Sequence, residues 1–378
     1  MIYKIKDLVT VNRGSSPRPI IDYLSDKGYK WLKISDFNYR DRFVYETKEY
    51  IKEVKNTRYV DKGTLILTNS ATPGIPIFLG NDMCLHDGFL YFTNCKEQIN
   101  LNYLFYWFQN YRESIVNLAN GSVFKNLKKE IVENLEIKLP SLIEQEKVVN
   151  ILGKIDDKIE LNIKMNNLLF ELSTVLHNEW MSNNQNKKIT NFVDVKELGK
   201  IVMGQSPKGE SYNYENIGIP LINGAADYEN SYLKAQKYTS EPTKICNKGD
   251  LIFCIRATIG LLTVCDSSYC LGRGVAGIVQ TDEKYKEYAF HLINNSIEEF
   301  KRLATGSVIL GISREQIEKI KVIVPEKDDI EKYHNIQKPI FDKIENIRNE
   351  SKNLIQLRNA MLPKLMNGEI DLDNLEIY

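Results

Sequence analysis

Two long stretches of this chain place an apolar residue at every third or fourth position. In the first, 142–181, Ile143, Val148, Ile151, Ile155, Ile159 and Ile163 carry the stripe, and Leu169, Leu172, Leu176 and Trp180 resume it. That spacing predicts one helix. Pro140-Ser141 supplies a break and an N-cap, and Glu144 completes a capping box. Forty helical residues, interrupted only by Gly153, would span roughly 60 Å. The second stretch, 328–366, carries Tyr333, Ile336, Ile340, Ile344, Ile347, Leu354, Leu357, Met361 and Leu365. Pro339 should kink its N-terminal part, and Pro363 should sit near its end. Stripes this narrow suit one partner helix, as in a coiled coil, and each helix offers the other that partner. A pseudo-twofold axis would make the pair antiparallel. The alternative is that each helix packs on its own globular part.

The stretches before each helix read as mixed α/β. Strand-like runs fall at 64–68, 90–93, 251–255 and 261–265, and amphipathic helices at 103–119 and 285–303. Gly/Ser/Pro/Asn clusters between them should form loops. The predicted order is therefore a globular domain over 1–140, a helical spacer over 141–185, a second globular domain over 186–325 and a second helical spacer over 326–378.

The chain repeats itself with a period near 185 residues. Lys147, Asn150, Ile151, Ile155, Asp157, Lys158, Ile159 and Glu160 recur as Lys332, Asn335, Ile336, Ile340, Asp342, Lys343, Ile344 and Glu345, eight identities in fourteen positions. Upstream, Gly121-Ser122 returns as Gly306-Ser307, Ala71-Thr72-Pro73-Gly74 as Ala257-Thr258-Ile259-Gly260, and Gly14-Ser15-Ser16-Pro17 as Gly204-Gln205-Ser206-Pro207. Scaffold positions match and polar positions differ. One frame presenting two surfaces implies two different ligand sequences.

Composition narrows this further. Apolar residues make up 43% of 378, enough for sizeable cores. No run of ~18 apolar residues could span a membrane, and the N-terminus lacks a signal-peptide core, so a cytoplasmic protein is expected. The six cysteines form no CxxC pair and the chain has four histidines, so no metal site is expected. Lys and Arg number 50, as do Asp and Glu. Residues 1–140 hold 20 basic and 16 acidic side chains, and residues 326–378 hold 8 and 11. If DNA is the ligand, the globular parts touch it and the helices do not.

These features together resemble the specificity subunits of type I restriction-modification systems, over essentially the whole chain. The resemblance rests on Leu139-Pro140 ahead of Glu144-Gln145-Glu146, on Leu362-Pro363-Lys364-Leu365-Met366-Asn367-Gly368-Glu369-Ile370, and on the duplicated Gly-Ser and Ala-Thr-x-Gly elements. It implies two α/β target recognition domains in tandem, each reading half of an asymmetric bipartite double-stranded DNA site. The helices would set the spacer and dock two methyltransferase (modification) subunits, which restriction/translocase subunits join. This chain would hold no cofactor; S-adenosylmethionine, ATP and magnesium would belong to those partners.

Base reading needs Arg, Lys, Asn, Gln and hydroxyl side chains on loops. The first domain offers Arg13, Ser15, Ser16 and Arg18; Lys33, Asn38, Tyr39 and Arg40; Asn69, Ser70 and Thr72; and Ser122, Lys125 and Lys128. The second offers Gln205, Ser206 and Lys208; Asn223; Arg256 and Thr258; Arg273; and Ser307, Ser313 and Arg314. Arg256 and Arg273 stand among apolar and small residues, where an unpaired guanidinium is costly. For any one of these residues, a structural salt bridge or a solvated edge is the bland alternative. Catalytic signatures are missing: there is no GxxxxGK[ST] phosphate loop and no Asn-Pro-Pro-aromatic motif. Asp41 with Glu53-Val54-Lys55 would be the only nuclease-like grouping, and His86-Asp87 lacks a nucleophile partner. The competing functions are a protein-binding scaffold with two adaptor domains and a stand-alone nuclease.

Overall fold

The computed structural model describes residues 1–36, 41–52, 59–118, 126–184, 192–229, 232–280, 282–306, 310–323 and 325–370. The chain divides into two compact units, Met1–Ile159 with Asn353–Tyr378, and Glu160–Lys352.

In unit 1 the strand Ile2–Lys4 pairs antiparallel with Glu136–Lys138, and α1 (Ile5–Leu8) follows it. A five-stranded sheet runs in the order Thr10–Arg13, Phe89–Thr93, Leu65–Thr68, Pro76–Leu79, Phe43–Val44. A second runs Leu24–Ser25, Glu49–Ile51, Tyr29–Leu32, Met83–Leu85, Tyr59–Val60. The first sheet packs its Leu65, Leu67, Leu90 and Phe92 under α2 (Leu101–Leu118), which buries Tyr103 to Phe108. Helix α3 (Lys129–Glu133) leads into the long α4 (Leu142–Asn184). Ser141 and Glu144 form the expected capping box, the Ser141 N–H donating to Glu144 Oε2 (2.8 Å) and the Glu144 N–H to Ser141 Oγ (3.3 Å).

Unit 2 repeats this topology among the described residues, except that its first sheet has four strands and lacks a counterpart of Phe43–Val44. Phe192–Asp194 pairs with Lys321–Ile323; one sheet runs Gly199–Met203, Val275–Gln280, Leu251–Cys254, Leu262–Val264; the other runs Tyr212–Asn213, Lys237–Thr239, Ile219–Ile222, Tyr269–Leu271, Ile245–Cys246. In both units the second sheet contains one parallel pair at the same place, Met83–Leu85 beside Tyr29–Leu32 and Tyr269–Leu271 beside Ile219–Ile222. The helix expected over 285–303 is instead two, α5 (Lys286–Asn295) and α6 (Ile297–Leu303). The break falls at Ser296, whose hydroxyl bonds back to Leu292 O (2.8 Å), so the side chain competes for a helix carbonyl. Helix α7 (Arg314–Glu318) precedes the long α8 (Lys327–Met366), which runs through Pro339 without a break.

The two long helices meet inside each unit. In unit 1, Arg358 Nη1 donates to Asp156 Oδ1 (2.8 Å), and Leu362 and Leu365 join the core with Val148 and Leu152. In unit 2, Asn162 bonds Ser351, Ser173 bonds Gln337 and His177 bonds Tyr333. Partner numbers on α8 fall as those on α4 rise, so the pair is antiparallel, as its stripes predict. The stripes themselves need correction: Ile143 is 68% exposed, and Leu172, Ile336 and Leu357 also face solvent. Much of the seam in unit 2 is polar, built from Asn162, Ser173, His177 and Gln337.

Among the described residues no group of three or more ligating side chains could hold a metal, and no helix is long and apolar enough to cross a membrane. The cysteines are free thiols, all buried except Cys95.

Candidate nucleic-acid interface

The loop after Thr10–Arg13 is pinned by a glycine. A Cβ on Gly14 would lie 2.2 Å from the His86 carbonyl oxygen, so no other residue fits there. The Gly14 N–H donates to Phe89 O (2.9 Å) and the Ser15 N–H to Leu85 O (3.0 Å). This brings residues 13–18 onto the 86–88 turn. Ser16 Oγ donates to Asp87 Oδ1 (2.9 Å), Arg18 Nη2 lies 3.6 Å from Oδ2, and the Asp87 carbonyl accepts from Arg13 Nε (3.1 Å). Burial pushes the Asp87 pKa up, but the Ser16 hydroxyl and the neighbouring His86, Arg13 and Arg18 outweigh it and hold the carboxyl below its ordinary value. Two exposed guanidinium groups thus gather on Asp87, Arg18 at its carboxylate and Arg13 at its main-chain carbonyl. Beside them Arg13, Asn126, Lys128 and Lys129 line an open cleft.

Unit 2 builds the same frame with other side chains. A Cβ on Gly204 would sit 2.0 Å from Gly272 O, and the Gln205 N–H donates to Leu271 O (2.8 Å). Arg273 occupies the place of Asp87 and donates through Nε to Ser206 Oγ (3.3 Å), where Ser16 meets the carboxylate in unit 1. Asn223 is held against the turn: its N–H donates to Asp227 Oδ2 (2.7 Å), and Gly272 and Gly274 leave room for its side chain and carbonyl. Lys208 is exposed nearby in the loop.

A second loop is also repeated. Ala71 and Ala257 sit in the left-handed region, at φ 55° and 58°, each followed three residues later by a left-handed glycine, Gly74 at 80° and Gly260 at 100°. An alanine there costs about 1–2 kcal/mol, and both copies bear it. In unit 1, Thr68 Oγ1 donates to Thr72 O (2.6 Å) and the Leu127 N–H closes onto Asn69 O (2.7 Å). In unit 2 the Ile312 N–H closes onto Ile255 O (3.0 Å) and the Ala257 N–H onto Leu310 O (3.1 Å). The residue before the strained alanine is Ser70 in one copy and Arg256 in the other. Arg256 and Thr258 are exposed, and among the described residues the Arg256 guanidinium has no hydrogen-bond or ion-pair partner.

Several sequence expectations change here. Arg256 and Arg273 are exposed, so the argument from a costly unpaired charge does not hold for either. Asn69 is 5% exposed and its amide donates to Asp87 O (3.2 Å), so it shapes the loop from inside. Ser313 caps α7 by accepting from the Gln316 N–H (3.3 Å), and Arg314 is tied to Ile201 O (3.0 Å) and Glu318. Lys33 is paired with Glu49. Asn38, Tyr39, Arg40, Ser122, Lys125 and Ser307 lie outside the described residues, as does Glu53. Asp87, considered from sequence only as half of a His-Asp pair lacking a nucleophile, organises the first loop. One feature escaped sequence reading. Lys237 lies over the rings of Tyr212 and Tyr214 (5.9 and 5.7 Å), a pairing across strands that no local pattern marks.

The chain is similar to known proteins over nearly its whole length. The family model described as the type I restriction modification DNA specificity domain matches residues 1–170 and again 187–361. Over 99% of this chain and 94% of the relative, the sequence is 26% identical to the type I restriction enzyme MjaIX specificity subunit of Methanocaldococcus jannaschii. It is 28% identical to the putative MjaX specificity subunit of the same organism, over 73% of this chain and 69% of the relative. Among solved structures, the crystal structure of a type I restriction-modification S subunit from M. genitalium shares the fold at a TM-score of 0.57, with 14% identity, 97% of this chain and 95% of that one.

Proposed function

That this chain belongs to the type I restriction-modification DNA specificity family, as a non-catalytic sequence-specificity subunit, is the premise from which we propose how it works. Its two globular parts read the two halves of an asymmetric bipartite site in double-stranded DNA. In the first, Arg13, Ser15, Arg18, Ser70, Thr72 and Lys128 face the DNA. In the second, Gln205, Lys208, Asn223, Arg256, Thr258 and Arg273 do. Ser16 and Ser206 hold the charged side chains of their loops. The paired helices set the unread spacer and dock two methyltransferase subunits, which restriction/translocase subunits join. S-adenosylmethionine, ATP and magnesium act on those partners, in the cytoplasm.

The observation that carries this reading is one backbone frame bearing different charges. Ser16 meets Asp87 where Ser206 meets Arg273, and Ser70 stands where Arg256 does. Hydrogen-bonding groups on a rigid frame discriminate base edges, whereas the frame and its phosphate contacts set register. The test is exchange. Replacing residues 191–325 with another recognition domain should change one half of the methylated sequence, read by methylation sequencing of host DNA. Inserting helical residues within 142–181 should change only the spacer. If either change altered both halves, the modular reading would fail.

A further inference from the structure

The parallel strand pair of unit 2 ends where two polar side chains come together. Ile219–Ile222 and Tyr269–Leu271 run side by side with Ile222 level with Leu271. The next residue of each strand, Asn223 and Gly272, therefore leaves the sheet beside the other. The Gly272 N–H donates to Ile222 O (2.8 Å), and the Val275 N–H returns to Gly272 O (3.2 Å) and closes the turn. A Cβ on Gly272 would lie 2.1 Å from Asn223 Oδ1, and one on Gly274 would lie 2.0 Å from the Asn223 carbonyl oxygen. Between the two glycines the turn carries one side chain, Arg273, and the Asn223 amide lies against the residue before it. Both side chains belong to exposed residues. Asn223 is fixed through its main chain, whose N–H donates to the buried Asp227 carboxylate (2.7 Å), so its amide is left for a ligand.

Ser206 takes only Nε of Arg273 (3.3 Å); among the described residues neither Nη nitrogen has a partner, and neither does the Asn223 amide. A guanidinium tied at Nε keeps its two Nη donors as a planar fork, which matches O6 and N7 of guanine. A side-chain amide offers one donor and one acceptor side by side, which matches N7 and N6 of adenine. Unit 1 holds neither group at this place. There Leu32 is level with Leu85, so Lys33, His86 and Asp87 stand where Asn223, Gly272 and Arg273 do. Lys33 is spent on Glu49, and His86 fills the space that Gly272 leaves open and pairs with Asp87 (3.0 Å).

Resting on the reading that unit 2 faces one DNA half-site, we propose that Asn223 and Arg273 form a composite reader of two adjacent base pairs in the major groove. Asn223 takes an adenine and Arg273 a guanine. Ser206 is a positioning residue that aims the fork, and Gly272 lets the two readers stand together.

The experiment uses the full chain assembled with the modification subunit of the same system, on the site found by methylation sequencing of host DNA. Gel shifts compare duplexes in which each purine of the unit 2 half-site is replaced in turn by its 7-deaza analogue, which lacks N7. Loss of N7 at one guanine, and at the adenine beside it, should each weaken wild-type binding about 5-fold or more. Arg273→Ala should bind weakly, become indifferent to the guanine analogue and still respond to the adenine one. Asn223→Ala should show the reverse. Both side chains are exposed, so neither variant should move the thermal melt. Ser206→Ala should blunt the guanine response alone, and Ser206→Thr, which keeps the hydroxyl, should restore it. A half-site without adjacent adenine and guanine would overturn the proposal, as would an analogue response that survives in the matching alanine variant. So would alanine variants that weaken all sequences equally, since both residues would then contact phosphate. If exchange of residues 191–325 changed neither half of the methylated sequence, the DNA-reading role of unit 2 beneath the proposal would fall with it.

Discussion

Lowering the pH from 7 to 5 should destabilise unit 2 through two stacked histidines. His177 and His291 lie with ring centroids 4.6 Å apart, both fully buried. Ser173 gives its proton to Gln337 Oε1 (2.7 Å), so His291 Nε2, also 2.7 Å from Ser173 Oγ, must be the donor there. Among the described residues its Nδ1 is buried without a hydrogen-bond partner. His177 Nδ1 meets the Tyr333 hydroxyl at 2.8 Å. Burial depresses both rings, His177 to about 4 and His291 to about 3, the latter helped by the His177 charge beside it. Unfolded, both titrate near 6.5. Between those values the unfolded chain holds more protons than the folded one, so stability rises with pH. It is complete above about pH 7 and is lost as the pH falls through 6.5 towards the folded values. Well inside that window the slope is ~1.4 kcal/mol per pH unit for each ring, and at pH 5 the pair has cost about 4 kcal/mol. That is a large share of the ~5–15 kcal/mol that holds an ordinary domain folded. Urea midpoints followed by circular dichroism at pH 7, 6 and 5 measure it, in a window above most carboxylate titration. His177→Gln with His291→Gln should flatten the dependence whatever its effect on absolute stability. A wild-type midpoint that does not move between pH 7 and 5, or a slope that survives in the double variant, would refute the argument.

Arg256→Ala should weaken binding at one half-site by ~1–3 kcal/mol, or about 5–150-fold, with no change in the melting temperature, in gel shifts of the assembled methyltransferase. A loss equal for all sequences would assign Arg256 to phosphate instead. Arg358→Met should cost ~3–5 kcal/mol, because it takes the ion-pair partner from the buried Asp156 carboxylate, which keeps the Tyr106 hydroxyl 2.7 Å away. Adding Asp156→Asn should recover much of that loss in denaturant titrations. Gly153→Ala should stabilise the chain by ~0.8–1 kcal/mol in the same assay, since a Cβ there meets nothing within 4 Å.

The fold was legible where the pattern is local. The capping box at Ser141 and Glu144 and the start of α4 follow from sequence alone, because the residues that make them are three apart. The antiparallel helix pair followed from the repeat. What the periodicity could not say is which face of each helix turns inward. Leu172 fits the apolar stripe as well as Leu176, yet buried Ser173 and His177 take the inner face, since Gln337 and Tyr333 satisfy them across the seam. A polar residue with a distant partner is as buriable as a leucine, and the partner lies some 160 positions away. The candidate interface was legible in its loops and illegible in its side chains for the same reason. Gly14 and Gly204 mark both turns, but whether Asn69 or Ser313 points outward depends on Asp87 and Gln316.

The duplication separates two problems that a single recognition domain must solve together. Each loop needs a backbone that holds its residues rigidly, and each site needs side chains of its own. The frame is costly and is kept. Ala71 and Ala257 both remain in the left-handed region, and Gly14 and Gly204 both sit where any Cβ would strike a carbonyl. Against that fixed backbone the side chains change by whole charges, Asp87 to Arg273 and Ser70 to Arg256, without disturbing the strands on either side. Divergence therefore needs no new fold, only substitutions at positions whose main chain is already committed elsewhere.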